Sequence, residues 1–370
     1  DISVLKYSEI WKFIILLLRG KKKYLCDERR NKEKISWREF FLKDFIKLIS
    51  EFFISFFILI ITWFKITKIS KAINKKRTKN TKHSFNKIAY LRTYHWFGTR
   101  AGGSVAHIYG VAQGFVNLGK KLFFISTDRL ALIDKLNCSF YIVQPFRKIR
   151  NFPELPEMEY NQIFFKESWS IFNKEKPDVI YQRYSLNNYS GVMFSLRYKI
   201  PLIIEYNGSE IWMARNWGKR LLFEKITNRI EILNLKATDL IVVVSNVMKD
   251  ELLSRGIDER KILVNPNGFD PMICNPEING KEIRKKYKIE NKVVVGFIGT
   301  FDSWHGAEVL AKAVKPVIEK NQSIKFLFIG DGVRMPLVRK IIKENRMEDN
   351  VIFTGLIPQE KASKYLEAFS

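Results

Sequence analysis

Apolar residues along this 370-residue chain fall into three patterns. From Val293 to Ser370, short β-branched runs break at glycine and turn into stretches with apolar residues at helical spacing. The units are VVVGFIGTFDSWHGAEVLAKAV, IKFLFIGDGVRMPLVRKII and NVIFTGLIPQEKASKYLEAFS. Repeated strand–turn–helix units build a parallel sheet with crossover helices. Ligands of such sheets sit at the C-terminal ends of the strands, where these glycine turns fall. From Lys87 to Asn267 the runs IAYLRTY, KLFFIST, FYIVQPF, DVIYQRY, PLIIEYN, LIVVVSN and KILVNPN read as further strands. Helical stretches separate most of them, including Ser104–Leu118 and Arg220–Ala237. This predicts a full doubly wound domain of about 180 residues. Pro266, Asn267, Gly268 and Pro271 form a breaker cluster, which places an interdomain connection at Asn267–Asn279.

The N-terminal pattern is different. Ile10–Leu18 is a short apolar run followed by Arg19 and Lys21–Lys23. Phe52–Phe64 reads FFISFFILIITWF between Glu51 and Lys65. At about 13 residues it is shorter than the roughly 20 that cross a bilayer as a helix. The preceding WREFFLKDFIKLIS has apolar residues at helical spacing, with Lys43, Asp44 and Lys47 on another face. The pattern predicts a helix over Trp37–Ile66 that lies in, or dips into, a membrane interface. A tilted span with snorkelling Lys47 and Lys65, or a buried core helix, are the alternatives. Lys65–Lys87 is rich in Lys, Asn and Ser and reads as a polar linker on the cytoplasmic side. The expected division is an extension and linker over 1–86, a first domain over 87–270 and a second over 280–370.

Charge sharpens the N-terminal reading. The net charge is +26. Residues 1–87 hold about 22 Lys/Arg against about 8 Asp/Glu, so roughly half of the excess lies there. A basic stretch suits anionic lipid or nucleic acid. Interleaved apolar runs favour a membrane surface, and the absence of zinc, homeodomain or RNP signatures argues against a nucleic-acid partner. A general Lys/Ile/Asn bias along the chain accounts for part of the excess. Cys26, Cys138 and Cys274 are far apart, without metal-ligand spacing, as for reduced cytosolic thiols. No secretory signal is visible, and the chain opens on Asp1 rather than Met, so it reads as a fragment.

The glycine turns occur in the order G-T-F-x-x-W-H-G, G-D-G and F-T-G-x-I-P. Upstream lie RAGGSVAHIYGVAQGFVNLGKKLFFIS and SNVMKDELLSRGIDERKILVNPNGFDP. Together, over Lys87–Ser370, these segments resemble the group 1 (family 4) GT-B glycosyltransferases. The resemblance implies an α/β fold of two Rossmann-like domains facing across a cleft, with a helical basic-apolar extension added here. It implies retaining, metal-independent transfer from a nucleoside-diphosphate sugar, with no cofactor besides that donor. The acceptor is expected to be a glycan or a lipid-linked surface-polysaccharide intermediate at the cytoplasmic face of the membrane, the protein being peripheral or monotopic. The family's paired glutamates, E-x7-E, would follow the region matching Tyr365–Ser370. On that pattern the second domain is incomplete, short by about 60–80 residues.

The chemistry behind this resemblance needs a diphosphate held while an oxocarbenium-like centre forms. Glycine turns and helix N-termini supply backbone N–H groups for that task. Gly299, Thr300 and Gly306 are therefore expected at the donor. Many family members carry Arg and Lys in this turn, where Thr300 and His305 stand here. His305 is a candidate phosphate ligand acting in catalysis, or a surface residue at a helix N-terminus; Trp304 shapes the pocket or simply packs. Gly330, Asp331 and Gly332 are expected to line the nucleotide pocket, with Asp331 also able to cap the next helix. Thr354 and Gly355 match the base-binding backbone, and Arg334 reads as solvent-facing. Gly102 and Gly103 would face the donor from the first domain. They are not a G-x-G-x-x-G fingerprint, which argues against an NAD enzyme. His107 is either an acceptor contact or a packed histidine. Asn207 stands where the family often has His; it can hydrogen-bond a sugar but cannot act as a base. Glu210 is either an acceptor contact or a carboxylate favoured by a helix dipole. These departures keep a rival open: a non-catalytic, membrane-associated nucleotide- or glycan-binding protein.

Overall fold

The computed structural model describes residues 8–19, 23–26, 32–75, 85–94, 103–130, 132–145, 149, 151–218, 220–269, 277–358 and 361–369. Its strands are β1 (Tyr24–Cys26), β2 (Lys32–Lys34), β3 (Lys87–Arg92), β4 (Lys121–Ser126), β5 (Ser139–Ile142), β6 (Val179–Arg183), β7 (Leu202–Glu205), β8 (Leu240–Val243), β9 (Ile262–Val264), β10 (Val293–Ile298), β11 (Ile324–Ile329) and β12 (Val351–Gly355). The chain divides into two compact units. One comprises Asp1–Gly98, Phe115–Arg129 and Asn137–Pro266; the other comprises Thr99–Gly114, Leu130–Leu136 and Asn267–Ser370.

The first unit is built on a seven-stranded sheet in the order β5-β4-β3-β6-β7-β8-β9. Every pairing in it is parallel. Strand order reverses between β3 and β6, the point where open α/β sheets leave a crevice at the strand ends. β3 and β4 are buried from their second residue onward, because helices cover both sheet faces. One core gathers Ala89, Leu91, Phe123, Ile125, Ile180, Ile204 and Val243 beneath Phe164, Phe172 and Phe194. The helices Leu155–Glu175 and Ser190–Tyr198 meet through stacked rings of Phe172 and Phe194, with centroids 3.8 Å apart.

The second unit carries the parallel sheet β10-β11-β12. The helices Ala307–Lys320 and Met335–Glu344 pack on it, so that Val314, Val338 and Ile342 enclose Phe301, Phe326 and Phe328.

The helix expected over Trp37–Ile66 is present, but it is longer than expected and has further elements before it; residues 76–84 lie outside the described residues. A helix runs over Ser8–Leu17, β1 and β2 pair antiparallel, and Ser36 caps a helix that starts at Trp37. That helix passes through a π-helical stretch, Phe40–Phe45, and continues as Ile46–Lys75. The predicted linker is therefore helical as far as Lys75. Ile66, Ile69 and Ile73 form an apolar stripe that packs on Tyr189, Ile230 and Leu233 of the first unit. Lys65, Lys68, Lys71 and Lys75, between and beside those positions, hid the stripe. By length and composition the helix Trp37–Ile73 could cross a membrane, with mean hydropathy 2.2 in its most apolar window.

Candidate functional site

In the second unit, three of the expected turns meet at the C-terminal edge of the sheet. Gly299 N–H donates to the Ile329 carbonyl at 3.0 Å, and Gly330 N–H to the Gly355 carbonyl at 2.9 Å. Phe301 is buried beneath them; its N–H donates to the Asp331 carbonyl at 3.1 Å, and its carbonyl accepts from Arg334 N–H at 2.7 Å. The fit leaves no room for side chains at two positions. A Cβ on Gly330, whose φ is +125°, would lie 1.9 Å from the Gly299 carbonyl oxygen. A Cβ on Gly332 would lie 2.7 Å from the Phe301 nitrogen. Gly299, Gly330, Gly332 and Gly355 thus form one backbone cradle. Asp331 accepts from Gly332 N–H at 2.8 Å, and the Thr354 hydroxyl donates to the Gly355 carbonyl at 2.9 Å.

His305 sits on the rim of this cradle. Its Nδ1 lies 3.2 Å from the Thr300 hydroxyl; His305 is exposed and Thr300 half-buried. Gly306 precedes the 14-residue helix Ala307–Lys320, so the first unpaired N–H groups of that helix follow directly on His305. Trp304 is about half exposed beside the imidazole, with ring centroids 5.7 Å apart.

In the first unit, the ends of β6 and β7 carry a buried polar cluster. Arg183 and Glu205 pair in register and form an ion pair. Tyr181 hydroxyl donates to Glu205 at 2.9 Å, and the exposed Asn207 donates to the same carboxylate at 2.6 Å. Beside it, fully buried Glu231 accepts from Tyr206 hydroxyl at 3.0 Å and from Ser209 hydroxyl at 3.2 Å, and pairs with Arg255 at 2.6 Å. Ser209 also caps the helix Glu210–Trp217, accepting from Trp212 N–H at 3.3 Å.

Glu210 is only partly open to solvent. Burial, reinforced by Glu231 and Glu157 and opposed by Arg183, pushes its carboxyl up to about 7. Burial, with the carboxylates of Glu210 and Glu157 nearby, raises the Tyr94 hydroxyl as well. Glu210 therefore exchanges a proton near neutrality, although it stands at a helix N-terminus that favours its charge.

Gly103 opens the helix Gly103–Asn117, and His107 lies partly buried one turn further on. Gly102 lies outside the described residues. The structure thus brings Gly299, Thr300, His305, Gly306, Gly330, Asp331, Gly332, Thr354 and Gly355 to one sheet edge. It brings Asn207 and Glu210 to another. Sequence reading missed Arg183, Glu205 and Glu231. The available signal was a charged residue closing an apolar strand, in DVIYQRY and PLIIEYN.

The chain matches the model for Glycosyltransferase Family 4 over residues 101–272 and that for Glycosyl transferases group 1 over residues 292–370. It belongs to the group 1, family 4 glycosyltransferases. Among curated family relatives, an uncharacterised glycosyltransferase of Methanocaldococcus jannaschii is 25% identical over 236 residues, 63% of this chain and 59% of the relative. The GPI3 subunit of phosphatidylinositol N-acetylglucosaminyltransferase of Saccharomyces cerevisiae is 21% identical over 281 residues, 73% of this chain and 59% of the subunit. The chain therefore spans 59% of the length of both. Two solved structures show the GT-B fold. Anabaena HepE, in complex with UDP and glucose, gives a TM-score of 0.58 at 15% identity, over 77% of this chain and 72% of that one. Sucrose-phosphate synthase from Thermosynechococcus elongatus gives 0.59 at 16% identity, over 77% and 74%.

Proposed function

We propose that this family 4 chain transfers a sugar, with retention, from a nucleoside-diphosphate sugar to a lipid-linked or growing glycan at the cytoplasmic face of a membrane. The observation that carries the donor half is the glycine cradle. The uncapped N-terminal N–H groups of the helix Ala307–Lys320 and His305 stand at the sheet edge that the glycine turns form, where a side chain at Gly330 or Gly332 has no space. That arrangement suits a diphosphate, whose charge is met by oriented N–H dipoles without a metal. UDP in the HepE structure makes a uridine donor the first to test.

On the acceptor side, Asn207 and Glu210 stand at strand and helix ends with polar atoms able to orient a hydroxyl. Glu210, titrating near neutrality, can accept a hydrogen bond from that hydroxyl when ionised. The phosphatidylinositol named for the yeast relative, together with the apolar N-terminal helix, supports a lipid-linked acceptor and a role in surface polysaccharide synthesis.

The test is titration calorimetry of the full chain with UDP, followed by incubation with UDP-sugars and membrane lipid extract and NMR of the product's anomeric configuration. Tight UDP binding with a retained anomer supports the proposal. UDP binding without turnover in the full-length gene product would favour the non-catalytic nucleotide-binding reading. No binding of any nucleoside diphosphate would overturn the donor assignment.

A further inference from the structure

Amphipathic helices of soluble domains bury their apolar stripe and show their polar one. The helix Ile46–Lys75 does the reverse from Glu51 to Phe64. Glu51, Ser55 and Thr62 are buried, while Phe53, Phe57 and Phe64 are each more than half exposed. Positions 51, 55, 62 and 66 share one face at helical spacing, and this face rests on the first unit. Its polar contacts are specific. Asn151 donates from its backbone N–H to Glu51 at 2.7 Å, and from its side-chain amide to Glu9 at 3.0 Å and to Glu51. Lys47 pairs with Glu9. Further along, Ile58 and Leu59 join Ile149, Leu155 and Met158, and the Arg229 guanidinium lies 3.8 Å above the Trp63 ring.

We propose that this helix is an in-plane platform sunk into one leaflet of an anionic bilayer, and that the Glu51–Asn151–Glu9 contacts key it to the first unit. The inference deepens, and rests on, the membrane location proposed above. Within the first unit the helix touches the segments that follow it from Glu51 to Ile73, a length of about 33 Å at 1.5 Å per residue. A span needs a hydrocarbon path of about 30 Å free of that unit. Crossing would therefore strip the helix from its bed, leaving Asn151 unpaired and Ile230 and Leu233 uncovered. Alternatively it would draw the charged helices Leu155–Glu175 and Glu224–Ala237 into hydrocarbon. Lying in the plane costs neither.

Charge fits the same disposition. No charged residue lies between Glu51 and Lys65, whereas Lys43 and Lys47 precede the ridge and Lys68 and Lys71 follow it. Trp37 and Trp63, near its two ends, are both roughly half exposed, as expected of rings held at headgroup level. The helix Ser8–Leu17 extends the surface with exposed Trp11, Phe13 and Leu17. Apolar burial and attraction of flanking lysines to anionic headgroups act together in such a surface.

The test uses the full chain with Cys26, Cys138 and Cys274 replaced by serine. Phe41→Cys, Phe53→Cys, Phe57→Cys and Phe64→Cys each carry an environment-sensitive dye and are bound to phosphatidylcholine–phosphatidylglycerol vesicles. Lipids with nitroxides near the headgroup or deep in the tail then report depth. We expect all four sites to be quenched more by the shallow probe. Deep quenching at Phe53→Cys and Phe57→Cys with shallow quenching at the ends would establish a span and overturn the platform. Dye already buried without vesicles, in a protein that sediments as a dimer, would assign the ridge to a second copy and overturn it too. No vesicle association at all would remove the membrane location itself. As a second measurement, the Phe52 and Phe152 rings lie 6.1 Å apart, so Phe52→Cys with Phe152→Cys can be joined by a short bismaleimide. The joined protein should bind vesicles as the unjoined one does; release from vesicles would show that the helix must leave the unit.

Discussion

Replacing Glu210 by Gln changes one atom and removes one titration. In the folded chain the carboxyl is raised from 4.5 to about 7, chiefly by burial, then by Glu231 and Glu157. A raised acid binds its proton more tightly folded than unfolded. Its contribution to stability is therefore fully favourable below the unfolded value near 4.5 and is lost as pH rises through about 7. The full shift corresponds to about 3 kcal/mol at pH 8, at 1.36 kcal/mol per unit. The residue as a whole is partly open to solvent, and screening brings the expected cost to about 1–2 kcal/mol. Glu210→Gln carries no charge at any pH and escapes that cost. Thermal melts of both proteins should show the variant ahead by about 2–6 °C at pH 8, with the gap narrowing towards pH 5. Melting the pair side by side cancels every other titrating group. A gap that is the same at both pH values, or a variant that melts lower at pH 8, would show that Glu210 is not held in an environment hostile to its charge.

Three further outcomes follow from the packing and the proposed donor site. Gly330→Ala places a methyl group 1.9 Å from the Gly299 carbonyl, so the second unit should lose about 3 kcal/mol or more in chemical denaturation; an unchanged midpoint would mean that the cradle is looser than described. His305→Ala should lower transfer efficiency roughly ten- to a hundredfold in the full-length enzyme, with His305→Lys retaining more, because a charge-assisted hydrogen bond contributes about 1.5–3 kcal/mol. Wild-type kinetics in the alanine variant would leave the turn's backbone alone with the phosphates. Removing residues 1–75 should leave an aggregating protein, because Tyr189, Ile230 and Leu233 lose the cover of Ile66, Ile69 and Ile73. A monodisperse truncated protein by light scattering would refute this.

The strands were legible because each is a β-branched run ended by a turn, and all seven runs between Lys87 and Asn267 became β3–β9. The glycine turns were legible for a related reason: only glycine tolerates the approaches at Gly330 and Gly332. What the sequence hid depends on partners far along the chain. The helix expected from Arg220 starts at Glu224, because Glu154 accepts the N–H groups of Leu222 and Phe223 at 2.6 Å. The pairing of Arg183 with Glu205 follows from strand register, which no local pattern encodes. The stripe through Ile66, Ile69 and Ile73 was visible in its spacing, but the lysines around it gave the segment the composition of a linker.

The contact between Glu51 and Asn151 joins residues 100 positions apart. At a synthesis rate of about 5–20 residues per second, the long helix leaves the ribosome several seconds before its bed exists. During that interval Glu51, Ser55 and Thr62 have water or headgroups as their only partners, while the phenylalanines opposite have nothing to cover them but lipid or another nascent chain. If the segment sits on a bilayer as proposed above, early arrival there would act as a chaperone for it. The order of events would then be adsorption first, followed by docking of the finished unit onto a helix already oriented polar side up. Slowing membrane delivery in the cell would be felt as aggregation of young chains long before it was felt as a loss of activity in old ones.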